Sequence, residues 1–217
     1  RELVAPHRIS LPMGGAVVSQ RAEIPLSALL AGEVCAPCNN GWMSTLEHDV
    51  RPILTGARRG RIEADEAQLL ARWFGKTAVA LNVSMPFRLL FDARTRHTLR
   101  TGVPANVRVF LAIVRRRNGY FDWMQTTASH VVAPEALDPQ RTLRGALARA
   151  YVAMIRIDQL VGTVAVMPPE LVRATPDSAA RQIWPVVARP PTWGALPRVR
   201  DLTGAHVGWL MDDDQPV

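Results

Sequence analysis

Lysine, cysteine and long apolar runs are what this 217-residue chain has least of. Of its 26 basic residues only Lys76 is a lysine, so the net charge of +7 is carried almost wholly by arginine. Two cysteines are too few for the multi-bridge framework of a small secreted protein. Apolar stretches such as Val161 to Met167 fall far short of the roughly 18 residues a bilayer-crossing helix needs, so no membrane partner is expected. The opening stretch RELVAPHRISLPMGG lacks the basic-then-apolar layout of a secretory signal. It also lacks an initiator Met, as expected of a fragment or of a chain whose beginning is missing. No internal repeat is present.

What remains is a composition of 48% hydrophobic residues with a mean hydropathy of +0.02, the balance of a folded chain with a core of ordinary size. Arginine pairs bidentately with phosphate and carboxylate, so an arginine-rich basic surface is compatible with a nucleic-acid partner. The competing explanation is a GC-rich genome, because the arginines are spread along the chain and cluster only in GARRGR (56–61) and VRRRNG (114–119).

Residues 1–34 alternate short apolar stretches with Pro and Gly, which predicts extended segments and a turn at Gly14-Gly15. Ser44 and Glu47 form a capping-box pattern, so a helix should begin at Ser44, with Leu46, Val50, Ile53 and Leu54 on one face and Pro52 kinking or shortening it. A second helix is signalled by Asp65 and Gln68 at its start and by a stripe of Leu69, Leu70, Trp73, Phe74, Thr77 and Leu81. The intervening TGARRGR reads as a subdomain boundary. From about Leu89 strands take over. The runs flanking Asn118-Gly119 read as a hairpin. The stretch YVAMIRIDQLVGTVAVMP gives two more strands, with Tyr151, Ala153, Ile155 and Ile157 on one side. TLRGALARA before them reads as a short helix, and the Pro- and Trp-rich tail as loop and edge strand.

The chemistry concentrates in EVCAPCNNGWMSTLEHD (33–49). A CxxC pair on one tight turn lets two thiolates converge on a single cation, and zinc in structural sites takes four such ligands. Asn39, Asn40 and Gly41 supply a turn, since these residues tolerate left-handed backbone. The pair therefore reads as a zinc knuckle feeding a helix. A redox dithiol is the competing reading of CAPC, disfavoured because Asn-Asn-Gly should interrupt the helix that such a pair opens. A local disulfide and inert buried thiols are further alternatives. The other candidates have ordinary explanations. His48 falls opposite the apolar stripe, toward solvent. Glu47 and Asp49 suit a helix N-terminus. His97, His130 and His206 sit among ordinary strand or loop residues. Trp42 and Met43 read as contacts locking the knuckle to the next domain. Trp73, Phe74, Trp123, Trp184, Trp193 and Trp209 could stack nucleic-acid bases but read first as core. Asp212 to Asp214 read as a solvated acidic end.

The stretch VCAPCNNGWMSTLEHDVRPIL (34–54) resembles the second half of an HNH-like treble-clef module of actinobacterial and phage proteins, whose signature is CxxCNNGWM followed by Ser, Leu and Glu. Looser likeness extends to ARWFGKTAVAL (71–81) and IWPVVARPPTW (183–193). The resemblance implies metal-assisted phosphodiester hydrolysis or binding of DNA or RNA, with structural zinc on Cys35 and Cys38 and with magnesium or manganese for catalysis. Asn39 or Asn40 then lies beside the site. The family's upstream CxxC and its Glu-His-Val motif have no counterpart here, and His7 is the one histidine before the knuckle that could act as general base. The expected fold is α+β: a treble-clef module in residues 1–60, lacking its N-terminal half, packed on an accessory domain in 61–217 with a long helix and an antiparallel sheet. A homodimer sharing one zinc fits a half-site. The alternative is a non-catalytic structural or interaction protein, a phage or defence component, in which the knuckle only staples the fold. A cytoplasmic location is expected from the reduced thiol pair.

Overall fold

The structure, a computed structural model, describes residues 4–10, 17–25, 34–56, 60–83, 93–115, 121–127, 151–167, 175–187, 191–205 and 208–210. Among them the chain is mixed helix and largely antiparallel sheet, in agreement with the α+β expectation. No helix among the described residues is long and apolar enough to cross a membrane.

The sheet is assembled from β1 (Val4–Ser10), β2 (Val17–Pro25), β3 (Val107–Val114), β4 (Phe121–Thr127), β5 (Tyr151–Ile157), β6 (Leu160–Val166), β8 (Arg181–Trp184) and β9 (Arg198–Val199) in the order β2-β1-β4-β5-β6-β3-β8, with β9 also on β3. β7 (Thr175–Asp177) and β10 (Gly208–Leu210) form a separate antiparallel pair. The expected extended segments near the start are β1 and β2, which pair antiparallel; Gly14-Gly15 lies outside the described residues. β1 joins β4 in parallel, so the expected 1–60 and 61–217 units share one sheet.

β5 and β6 are the two strands expected there, and they pair as a tight hairpin, turning at Asp158-Gln159 with Asp158 left-handed at φ 52°. The other expected hairpin is corrected. β3 does not pair with β4: its neighbours are β6, β8 and β9, whereas β4 lies between β1 and β5. An Asn-Gly step favours a reversal of the chain but does not choose the partner. β3 is apolar on both sides and almost wholly buried, so an interior position between β6 and the β8/β9 edge removes more apolar surface from water.

Both faces of the sheet are covered around β3, β5 and β6. On one, Tyr151, Ala153 and Ile155 join Val109, Leu111 and Val164 under the long helix α2 (Ala64–Val83). On the other, Val152, Met154, Phe110 and Val161 meet Leu202 and Ala205 of a short 3-10 turn. The Thr163 hydroxyl donates to the Ala205 carbonyl at 2.7 Å, satisfying a fully buried polar group. The tryptophans that are described settle in or against the core: Trp73, Trp123 and Trp193 are buried, and Trp42 and Trp184 pack against the cluster. The tail wraps as expected. Pro191 to Trp193 bind back to Gly60 and Ile62 through Ile62 N–H to Pro191 O and Trp193 N–H to Gly60 O.

α2 carries the predicted stripe, but from Leu70 to Asn82 it is buried on nearly every side. The sheet lies under one face and helix α1 (Ser44–Thr55) packs against another. This explains the single lysine. Lys76 is 7% exposed, reaches across to Glu47 of α1 at 2.5 Å, and lies 5.7 Å from the centre of the Trp73 ring. Glu47 therefore does not act in a capping box. Ser44 is already helical (φ −63°, ψ −42°) because helical turns precede it, and no side chain caps the helix start. Leu46 and Val50 are buried and Ile53 and Leu54 pack against the core, as the spacing predicts. The helix passes through Pro52 and ends three residues later, where Gly56 N–H donates to Pro52 O.

Removing one partner of a buried pair strands the other, whereas replacing the buried charge with an apolar side chain removes the need for a partner. Glu47→Ala should destabilise the fold by about 1–2 kcal/mol, given that the Glu47 side chain is 56% exposed and water shares the load. Lys76→Met should cost less than about 1 kcal/mol. Urea unfolding of the two variants measures both, and the ordering is the test.

Candidate dithiol site

Cys35 is extended (φ −62°, ψ 141°), and the chain turns helical at Ala36–Cys38. Pro37 fits this first turn because its missing N–H has no helical partner there. Asn39 N–H closes the turn on Cys35 O at 3.0 Å. The next five residues, Asn39–Met43, form one wide helical turn that runs into α1, with its only non-helical backbone at Gly41 (φ −98°, ψ −115°). This corrects the expected left-handed Asn-Asn-Gly turn: Asn39 is right-handed helical and Gly41 has negative φ, so the segment is a kinked helical entry.

Both cysteines are free thiols, Cys35 exposed and Cys38 half-buried. They are not equivalent. The Cys38 thiol donates a hydrogen bond to Cys35, and with the Cys38 backbone N–H and the Arg100 charge this holds the Cys35 thiol below its ordinary value of 9.0. The same bond fixes the proton on Cys38 and, with desolvation, pushes that thiol up. Against that shift stands the Trp42 indole N–H, a buried donor with no hydrogen-bond partner among the described residues, whose proximity favours the Cys38 thiolate.

The pair opens onto a cleft of about 410 Å³. Val79 and Ala80 of α2, Leu99, Trp42 and Met43 form the apolar part of its lining. Helix α3 (Ala93–Thr98) and the turn after it contribute Arg96, His97 and Arg100, and the Arg100 charge is felt by both thiols. Arg72 ties this turn to α2 by donating to the Arg100 carbonyl at 2.7 Å. Lys76 also lines the cleft, but its charge is met by Glu47; no carboxylate lines it among the described residues. His97 is not singled out by its sequence context. Nearly sixty residues separate it from Cys38, and the docking on α2 of the turn that follows α3, through Arg72 to Arg100 O and Leu99 beside Gly75, goes with its place at the cleft.

The remaining candidates are placed apart from the cleft lining. Asn39 and Asn40 are exposed and bonded to each other at 3.4 Å. His48 is 85% exposed beside Asp49, pointing to solvent as expected. His7 lies on β1, in register with Arg21 and Trp123, and its side chain falls outside the described residues. Trp209 is placed on β10 by its backbone alone, and His130, His206, Asp212 to Asp214, Asn118-Gly119 and the helix expected at 142–150 also lie outside them. Among the described residues no three His, Cys, Asp or Glu side chains gather as a metal cluster, so the thiols supply two ligands of the four that structural zinc takes.

The thiol asymmetry has a measurable consequence. In metal-free protein, alkylation of Cys35 should set in at a lower pH than that of an unperturbed thiol, and alkylation of Cys38 at a higher pH, because the thiolate is the reactive form. Cys38→Ala should move the Cys35 profile back up. Mass-spectrometric rates against pH decide it, and coincident profiles would contradict the hydrogen-bonded pair.

No family model matches this chain, and neither a curated protein nor a solved structure is similar to it.

Proposed function

We propose that this chain is a nucleic-acid-binding protein of the HNH-like type, in which Cys35 and Cys38 hold a structural zinc. The observation that carries the reading is the cleft: two free thiols on one turn share its lining with Arg96, His97 and Arg100, and no carboxylate interrupts that lining among the described residues. Cations gathered on a surface attract the phosphate backbone, and an excess of arginine over acid in the whole chain adds to that field. Zinc would fix the entry to α1, with its other two ligands coming from outside the described residues or from a second copy of the chain. Binding is the part of the activity that these residues carry. Hydrolysis, with magnesium or manganese, comes from the resemblance and rests on His7 as base and on Asn39 or Asn40 as its polar neighbour.

Fluorescence anisotropy with single-stranded and duplex DNA and RNA tests this. Affinity should fall more than tenfold between about 50 and 200 mM salt, the signature of several phosphate contacts. Plasmid nicking in magnesium or manganese, with His7→Ala as control, separates hydrolysis from binding. Absence of salt-dependent binding to every nucleic acid would favour the structural role of the knuckle alone.

A further inference from the structure

We infer that the cleft beside the thiols is a mononucleotide pocket, which receives one nucleotide of a single strand with its phosphate on Arg96 and Arg100 and its base on the apolar lining residues. The inference rests on the nucleic-acid reading and names the part of the ligand that this site takes. Three features carry it. The volume, about 410 Å³, falls within the roughly 300–1,000 Å³ of small-molecule sites, large enough for a base and a phosphate and too small for a duplex. Its lining combines two chemistries. Val79, Ala80 and Leu99 are apolar and Met43 adds a polarizable thioether, groups suited to the flat face of a base. Arg96 and Arg100 also line it and are exposed, and among the described residues no carboxylate pairs with either. Guanidinium groups in that position can grip a phosphate through paired N–H donors. The third feature is rigidity. The Arg72 bond to the Arg100 carbonyl and the buried Leu99 fix the turn that presents these arginines, so little order has to be gained on binding.

Isothermal titration of the whole protein with adenosine 5′-monophosphate, adenosine, ribose 5-phosphate and inorganic phosphate tests it. The monophosphate should bind at least tenfold more tightly than each of the other three, because only it engages both the apolar and the arginine lining. The double variant Arg96→Ala/Arg100→Ala should weaken it by about tenfold or more with an unchanged melting temperature, since both side chains are exposed, whereas Arg51→Ala, on the far end of α1 and outside the cleft lining, should leave it as it is. Equal binding of inorganic phosphate, or unchanged binding in the double variant, would overturn the pocket. Failure of the monophosphate to bind while oligonucleotides still do overturns the pocket and leaves the nucleic-acid reading standing. Binding of the monophosphate without binding of any oligonucleotide overturns that reading, and with it the strand nucleotide as occupant.

Discussion

Gly162→Ala should be among the most damaging single substitutions in this chain, lowering stability by about 3 kcal/mol and the melting temperature by roughly 6–12 °C. Gly162 sits in the middle of β6, paired with Leu111 on one side and Ile155 on the other, so its backbone is fixed by two ladders. A Cβ there would meet the ring of Phe74, a fully buried side chain of α2. Phe74 is itself held edge-on by Trp73, with ring centres 5.0 Å apart, so it has little room to retreat. The strand needs glycine for the close approach of a helix, not for an unusual backbone angle. A second variant isolates the cause. Phe74→Leu should be destabilising alone, yet in that background Gly162→Ala should cost clearly less than in the wild type, a non-additivity that denaturant unfolding can read. Equal costs in both backgrounds would show that the ring is not what the methyl group meets.

The second large effect concerns the helical entry to α1. No residue from Ala36 to Met43 is fully buried, although α1, directly after it, plants Leu46 and Val50 in the core. Packing therefore holds α1 and leaves the thiol-bearing turns with little apolar burial of their own. On the proposed zinc reading, a cation on the two sulfurs would supply the missing constraint, since metal binding to such a site is folding free energy. Chelation of zinc, or Cys35→Ser, should lower the melting temperature by about 10 °C and raise amide exchange across 36–43 while leaving 46–54 close to its protected level. Metal-free protein with an unchanged melting temperature, or Cys35→Ser equal to wild type, would mean that the turn is held by Trp42 and its neighbours alone.

The elements legible in the sequence are those set by local physics. Tyr151 to Val166 announces two strands because alternation and β-branched residues coincide there, while their pairing as a hairpin is seen only in the structure. Leu46 and Val50, and Leu70 with Phe74, mark helix faces by spacing. Partner choice is not local. β3 and β4 flank an Asn-Gly step and still end up in different parts of the sheet, because β3 is apolar on both faces. The same holds for Lys76, whose place in an apolar helix makes sense only once Glu47 of α1 is opposite it. The site is half legible: CxxC identifies the thiols, but Arg96, His97 and Arg100 carry no motif, and only the folded arrangement brings them into the same cleft. The Asn-Asn-Gly stretch misleads for a physical reason. Residues that tolerate left-handed backbone are not compelled to adopt it, and here a wide helical turn absorbs them.

Zinc K-edge absorption on the protein as isolated tests the dithiol account most directly. The predicted spectrum shows zinc with at least two sulfur neighbours at about 2.3 Å, and Cys35→Ser and Cys38→Ser each remove sulfur from that shell. Protein without zinc, or zinc surrounded by nitrogen and oxygen alone, would contradict it.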